Sequence, residues 1–247
     1  MRSARFCTYA LALLALPLAV AACDMGSGHN KVLGSVDVAS GSSVSDANTV
    51  NGAVRVEANA KAGDANTVNG SIHIASGGQV SDATTVNGGI TLDEHASAKD
   101  ATTVNGSITL AAGASVAGDA TTVNGGLDLA TGSAVKGSLT NVNGHITVDG
   151  AHIGDGITTV NGDVDITGNA VVDGGIKVKK SKGGGFLGIH FDSNKVPRIL
   201  IGPGATVNGP LTFEKPVHLF ISDQAHVAGP ITGATAVKFT GAEPPAS

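Results

Sequence analysis

From Val32 onward the chain alternates short apolar runs with small and polar residues at a fixed distance, and that distance carries the fold. The tripeptide Val-Asn-Gly begins at Val50, Val68, Val86, Val104, Val123, Val142 and Val160, at intervals of 18, 18, 18, 19, 19 and 18 residues. A degenerate copy starts at Val32, and another at Val178, where Lys179 and Lys180 stand in for Asn and Gly. Between copies, apolar residues recur every six positions, as in Val68, Ile74, Val80, Val86, Leu92, Ala98, Val104, Leu110 and Val116. A second apolar residue often lies two positions earlier, Ile72 before Ile74 and Ile108 before Leu110, which puts both on one face of a strand. Three short faces per repeat predict an all-β fold, a single-stranded parallel β-helix, triangular in section, with about 18 residues per coil. We expect the right-handed form.

An isolated coil cannot bury its apolar edge, so neighbours stacked at about 4.8 Å must cover it. Residues 32–239 are therefore expected to form one array of roughly eleven coils, a rod of about 50 Å. Proline supports this boundary: none lies between Cys23 and Val196, and seven follow from Pro197 onward. A proline cannot donate to a β-ladder, so the proline-free stretch reads as the regular array. Residues 183–197 read as an insertion, after which Ile199, Leu200 and Ile201 resume the pattern. Because Gly204-Ala205-Thr206-Val207 matches Gly113-Ala114-Ser115-Val116, the string Val207-Asn208-Gly209 is assigned to a different face from its namesakes. Phe186, Phe191, Phe213, Phe220 and Phe239 crowd the C-terminal part, as expected of a cap over the last open strand. Residues 240–247 read as a tail.

Stacking turns each repeated position into a column. Asn51, Asn69, Asn87, Asn105, Asn124, Asn143 and Asn161 are expected to form an amide ladder at a corner, where Asn-Gly suits positive φ. Thr49, Thr67, Thr85, Thr103, Thr122 and Thr159 are read as a flat outward row, interrupted at Asn141. Asp46, Asp64, Asp82, Asp100 and Asp119 form an acidic column, a candidate cation site. Carboxylates about 4.8 Å apart repel by about 1 kcal/mol in water, which calcium would relieve, although calcium wants about six to eight oxygens. No other metal or cofactor is expected.

Composition agrees with this picture: 36 glycines, no tryptophan, and 41% hydrophobic residues suit short β-branched strands joined by tight turns. The amino terminus adds a location. Residues 1–22 combine Arg2 and Arg5 with an apolar run from Ala10 to Ala22, too short for a stable span, and read as an export signal. Val20-Ala21-Ala22-Cys23 resembles the bacterial lipobox. That resemblance implies cleavage before Cys23 and acylation of its thiol and new amino group by diacylglyceryl and palmitate-type chains, with residues 23–31 as acylated cysteine and tether. More than one acyl chain holds a protein firmly on a membrane. Loss of Arg2 and Arg5 would leave 13 basic against 20 acidic side chains, a balance that argues against a nucleic-acid partner. Cys7 would leave with the signal, so no free thiol would remain for a disulfide or metal.

The repeats resemble the triangular β-helices of bactofilins and of bacterial adhesin-like domains over nearly the whole chain after Cys23. Bactofilins lack an export signal, and this chain departs from them there. The six-residue period also resembles hexapeptide acyltransferases, whose activated cytosolic donor would be missing outside the cytoplasm. A polysaccharide-cleaving β-helix would need acids on adjacent coils, for which Asp128 and Asp165, two coils apart with Thr147 between, are the nearest arrangement. The insertion around Phe186, Leu187, Ile189 and Phe191, behind Lys177, Lys179, Lys180 and Lys182, is a candidate partner patch. The resulting expectation is a noncatalytic, lipid-anchored cell-envelope protein with a structural, adhesive or scaffolding role, facing the periplasm or the cell surface. Its expected partners are the membrane and an envelope protein or polysaccharide, with self-association open. The alternative is a polysaccharide-binding or polysaccharide-cleaving protein.

Overall fold

The computed structural model describes residues 29–180, 195–241, 243 and 244. Every strand in it pairs in parallel, and the strands form two sheets of 17 and 11 members that wind together as a β-solenoid of about eleven turns. The 11-stranded sheet is the first face of the coil. It begins with Val36–Val38, Val54–Val56, Ile72–Ile74, Ile90–Leu92 and Ile108–Leu110, each with two buried side chains around one that faces out. The outward column is the one expected from the repeat: Arg55 pairs with His73, Thr109 with Asp128, Asp128 with Thr147 and Thr147 with Asp165. It then turns apolar, as Asp165 pairs with Leu200 and Leu200 with Phe220.

The 17-stranded sheet wraps the second and third faces. In the early coils both faces form one nine-residue strand: Ser43–Asn51, Lys61–Asn69, Gln79–Asn87 and Ser97–Asn105. The next coil splits it into Ser115–Val116 and Ala120–Asn124. The cause is visible in the register. Val116 pairs with Ala98 but Ala120 pairs with Ala101, so Ala117-Gly118-Asp119 fills the place of Lys99-Asp100. That extra residue is the first 19-residue interval of the sequence, and it breaks the strand at the corner.

Register corrects three sequence expectations. The threonine row does not face outward: Thr67, Thr85, Thr103 and Thr122 are at most 1% exposed, and Thr49 is buried beside them. Ala47 and Thr49 point inward on the third face, so Asn48 and Val50, which alternate with them, point out. The interior here is narrow, and the carbonyl of the glycine in the coil below needs a donor. Thr49 Oγ1 donates to Gly34 O at 2.9 Å, and Thr67, Thr85 and Thr103 donate to Gly52, Gly70 and Gly88 O at 2.8 Å. Thr122 repeats this on Gly106 O at 2.9 Å. Asn141, the apparent interruption, fills the same role by donating Nδ2 to Gly125 O at 2.7 Å.

The second correction concerns Asn-Gly. Neither the asparagines nor Gly52, Gly70, Gly88, Gly106 and Gly125 have positive φ. Glycine is needed there for close approach instead, since a Cβ on Gly70 would lie 1.9 Å from Gly52 O. At that corner positive φ is found only at Gly34 (94°) and Gly144 (145°), whereas it recurs at another corner, where Asn59 (57°) and His95 (59°) occupy the position filled by Gly77 (70°) and Gly113 (71°). Third, Val178 pairs with Thr159 and not with Val160, so the final copy of the motif is shifted by one residue. Val207, as expected, belongs to the second face and pairs with Val172 and Val227.

The array starts slightly earlier than its sequence boundary, because His29–Leu33 already pairs with the following coil. It ends at Ala236–Phe239. Buried Val, Ile, Leu and Ala side chains form one continuous core along the rod, and Leu200, Phe220 and Phe239 form a separate cluster.

Candidate functional site

The outside of the rod presents stacked columns, and each has its own chemistry. The asparagine ladder forms as expected: Asn69 Nδ2 donates to Asn51 Oδ1 at 2.8 Å, Asn87 to Asn69 at 2.9 Å and Asn105 to Asn87 at 3.0 Å. It continues through Asn124, Asn143 and Asn161 at 3.1, 3.0 and 2.9 Å. All amides donate in one sense, and Lys215 Nζ donates to Asn161 Oδ1 at 2.7 Å, placing a cation on the oxygen end of the chain. A second ladder, Asn66 to Asn48 at 2.9 Å and Asn48 to Asn30 at 2.8 Å, runs beside it.

The acidic column also forms, with Asp46 beside Asp64 and Asp82 beside Asp100 in register. Three of its oxygens accept backbone hydrogen bonds from the following coil. Asp46 Oδ1 accepts from Asp64 N at 3.1 Å, Asp100 Oδ1 from Asp119 N at 2.9 Å, and Asp119 Oδ1 from Ser138 N at 2.7 Å. Asp82 Oδ1 is buried without a hydrogen bond and lies 3.7 Å from Lys99 Nζ. Burial, then the charges of Asp82 and Asp46, hold the Asp64 carboxyl above its ordinary range. The charge of Asp82, together with the hydrogen bond that Lys99 donates to Asp100, raises the Lys99 ammonium in turn. Among the described residues no three His, Cys, Asp or Glu side chains converge as a metal site.

One broad groove of about 1030 Å³ runs along the corner between the second and third faces, flanked by Asp82, Asp100 and Asp119. Its floor is a column that the sequence reading did not single out: Thr84, Thr102, Thr121, Thr140 and Thr158, stacked in register. The signal was present. Alanine stands three residues before the valine in the copies at Val50, Val68, Val86, Val104 and Val123, and it marks the inward phase that places the next residue outward.

Ion pairs link neighbouring coils elsewhere. His73 Nε2 lies 2.9 Å from Asp93 Oδ2 and His152 Nε2 2.7 Å from Asp173 Oδ2. Hydrogen bonds from His152 and then Asn208 lower the Asp173 carboxyl. Lys177, with the Lys180 backbone, does the same for Glu214. Asp128 and Asp165 do lie two coils apart, with His145 placed between their charges. Cys23 and the patch of Phe186, Leu187, Ile189 and Phe191 lie outside the described residues. Among the described residues no helix is long and apolar enough to cross a membrane. No family model, curated protein or solved structure matches the chain.

Proposed function

We propose that the chain is an exported lipoprotein, acylated at Cys23, whose β-solenoid stands at the cell envelope as a noncatalytic structural, adhesive or scaffolding element. The observation that carries this reading is the lipobox Val20-Ala21-Ala22-Cys23 only six residues before the first strand at His29. Five residues, Asp24 to Gly28, reach at most about 18 Å, so the rod would begin close to the bilayer. Its outer surface supports a contact role, because it repeats amide, carboxylate and threonine columns along the rod without gathering them into a reacting centre. The groove favours polysaccharide as the second reading, since its threonine hydroxyls stack in line as a straight polymer would require.

The test is incubation of the acylated protein with isolated envelope polysaccharide, following retention and the release of new reducing or unsaturated sugar ends. No release of new ends is expected, and retention without release would favour the polysaccharide-binding form of the second reading. Steady release of new ends would replace the noncatalytic reading with an enzymatic one.

A further inference from the structure

The tripeptide Val-Asn-Gly occurs eight times, with its asparagine at Asn51, Asn69, Asn87, Asn105, Asn124, Asn143, Asn161 and Asn208. An Asn-Gly step is open to ring closure, because glycine sets no side chain between its own nitrogen and the asparagine Cγ. Closure requires two freedoms: the glycine N–H must leave any hydrogen bond it makes, and the amide must turn away from its partners. Neither sequence context nor exposure separates the eight, since valine precedes every asparagine and Asn69, Asn87 and Asn105 are exposed as Asn208 is.

Hydrogen bonds do separate them. Gly52, Gly70, Gly88, Gly106 and Gly125 donate N–H to the asparagine carbonyl of the following coil at 3.0–3.1 Å, and Gly162 N donates to Thr159 Oγ1 at 2.8 Å. Each amide inside the ladder is also held twice, through Nδ2 by the coil before and through Oδ1 by the coil after, and Asn161 Oδ1 ends on Lys215. Asn208 lies outside the ladder, just after the second-face strand Thr206–Val207. Its Nδ2 donates to Asp173 Oδ1 at 2.9 Å. Among the described residues nothing donates to its Oδ1, and the Gly209 N–H has no acceptor. Two steps are intermediate. The Gly144 N–H also lacks an acceptor among the described residues, but Asn143 is held at both ends by Asn124 and Asn161. Asn51 is held only through Oδ1, by Asn69, while the Gly52 N–H is engaged.

We propose that Asn208 is a modification site, at which the chain converts its own amide into aspartyl and isoaspartyl linkages through a succinimide closed by Gly209, while the ladder shields its seven asparagines. Gly209 N bonds to Asn208 Cγ, the Cγ–Nδ2 bond breaks, and ammonia leaves with the proton of Gly209 N. Water then opens the ring: cleavage between Gly209 N and Cγ gives aspartate, and cleavage between Gly209 N and the Asn208 backbone carbonyl gives isoaspartate. Nothing is oxidised or reduced, and water is the only co-reactant. The product matters to the coil beneath, because a carboxylate replaces the amide that donates to Asp173 and turns that link into a meeting of like charges. His152, at 2.7 Å, then remains as the side-chain partner of Asp173.

An asparagine inside the ladder has two more hydrogen bonds to break than Asn208, and Asn51 and Asn143 each have one more. One bond of ordinary net strength slows such a step about fivefold, and two about thirtyfold.

The test is peptide mass spectrometry on the full chain incubated at pH 8.0, beside the same chain unfolded in urea. In the native chain isoaspartate is expected at position 208 about thirtyfold faster than at Asn69, Asn87, Asn105 or Asn124, and about fivefold faster than at Asn51 or Asn143. In urea the eight steps should react alike, which assigns the ranking to the fold. Asn208→Gln should remove the product at that position and leave the others unchanged. A ranking that persists in urea, a ladder asparagine that reacts as fast as Asn208, or aspartate at 208 without isoaspartate would overturn the proposal.

Discussion

Replacing Thr85 by valine isolates the inward hydroxyl column from the packing around it. The two side chains have nearly the same shape, so no cavity opens, but Gly70 O loses the Thr85 Oγ1 donor that lies 2.8 Å away. Thr85 is fully buried, so water cannot replace that donor without disturbing the stack. An unsatisfied buried acceptor costs about 1–3 kcal/mol, partly offset by removing a hydroxyl from the interior. We expect Thr85→Val to lower unfolding free energy by about 1–2 kcal/mol. Its neighbour supplies the control. Val86 is half-exposed on the outer surface, so Val86→Thr should stay within about 0.5 kcal/mol of the parent. Urea unfolding followed by far-ultraviolet circular dichroism measures both in a chain that lacks tryptophan. A neutral Thr85→Val paired with a costly Val86→Thr would refute the inward-threonine register.

Asp64→Asn should stabilise the rod at pH 7 by about 1 kcal/mol, because it removes a partly buried charge and its repulsion from Asp82 and Asp46. Since the folded carboxyl is raised, its favourable contribution is present below pH 3.8 and lost as pH rises through the folded value; the gain should therefore shrink in acid and in high salt. Gly70→Ala should cost more than about 2 kcal/mol, as its Cβ would lie 1.9 Å from Gly52 O in a stack that cannot part locally, and denaturation of the purified variant would show it. Phe186→Ser with Phe191→Ser separates a cap from a contact surface: a lowered melting temperature marks the first, unchanged melting with weaker retention on envelope material the second.

The fold was legible because stacking repeats each environment once per coil, so the 18-residue period and the paired apolar residues of the first face could be read directly. The third face was misread because hydrophobicity there does not report burial. Val86 is outside and Thr85 inside, since the corner needs a hydroxyl donor more than it needs apolar volume. The same limit applies to the glycines, whose role is set by the distance to the coil below and not by their own φ. Val178 was placed one residue out because the motif was matched by valine alone, while the inward phase follows the alanine-threonine pair. The asparagine and aspartate columns were legible because register alone creates them. The network of His145, Asp165 and Arg198 was not, since Arg198 reaches Asp165 across residues 181–194, and no sequence period spans that distance.

Metabolic labelling with palmitate, comparing the parent chain with Cys23→Ser, tests the envelope assignment most directly. The account predicts label and membrane-fraction recovery for the parent and loss of both in the variant. Label and membrane recovery retained by Cys23→Ser would contradict it.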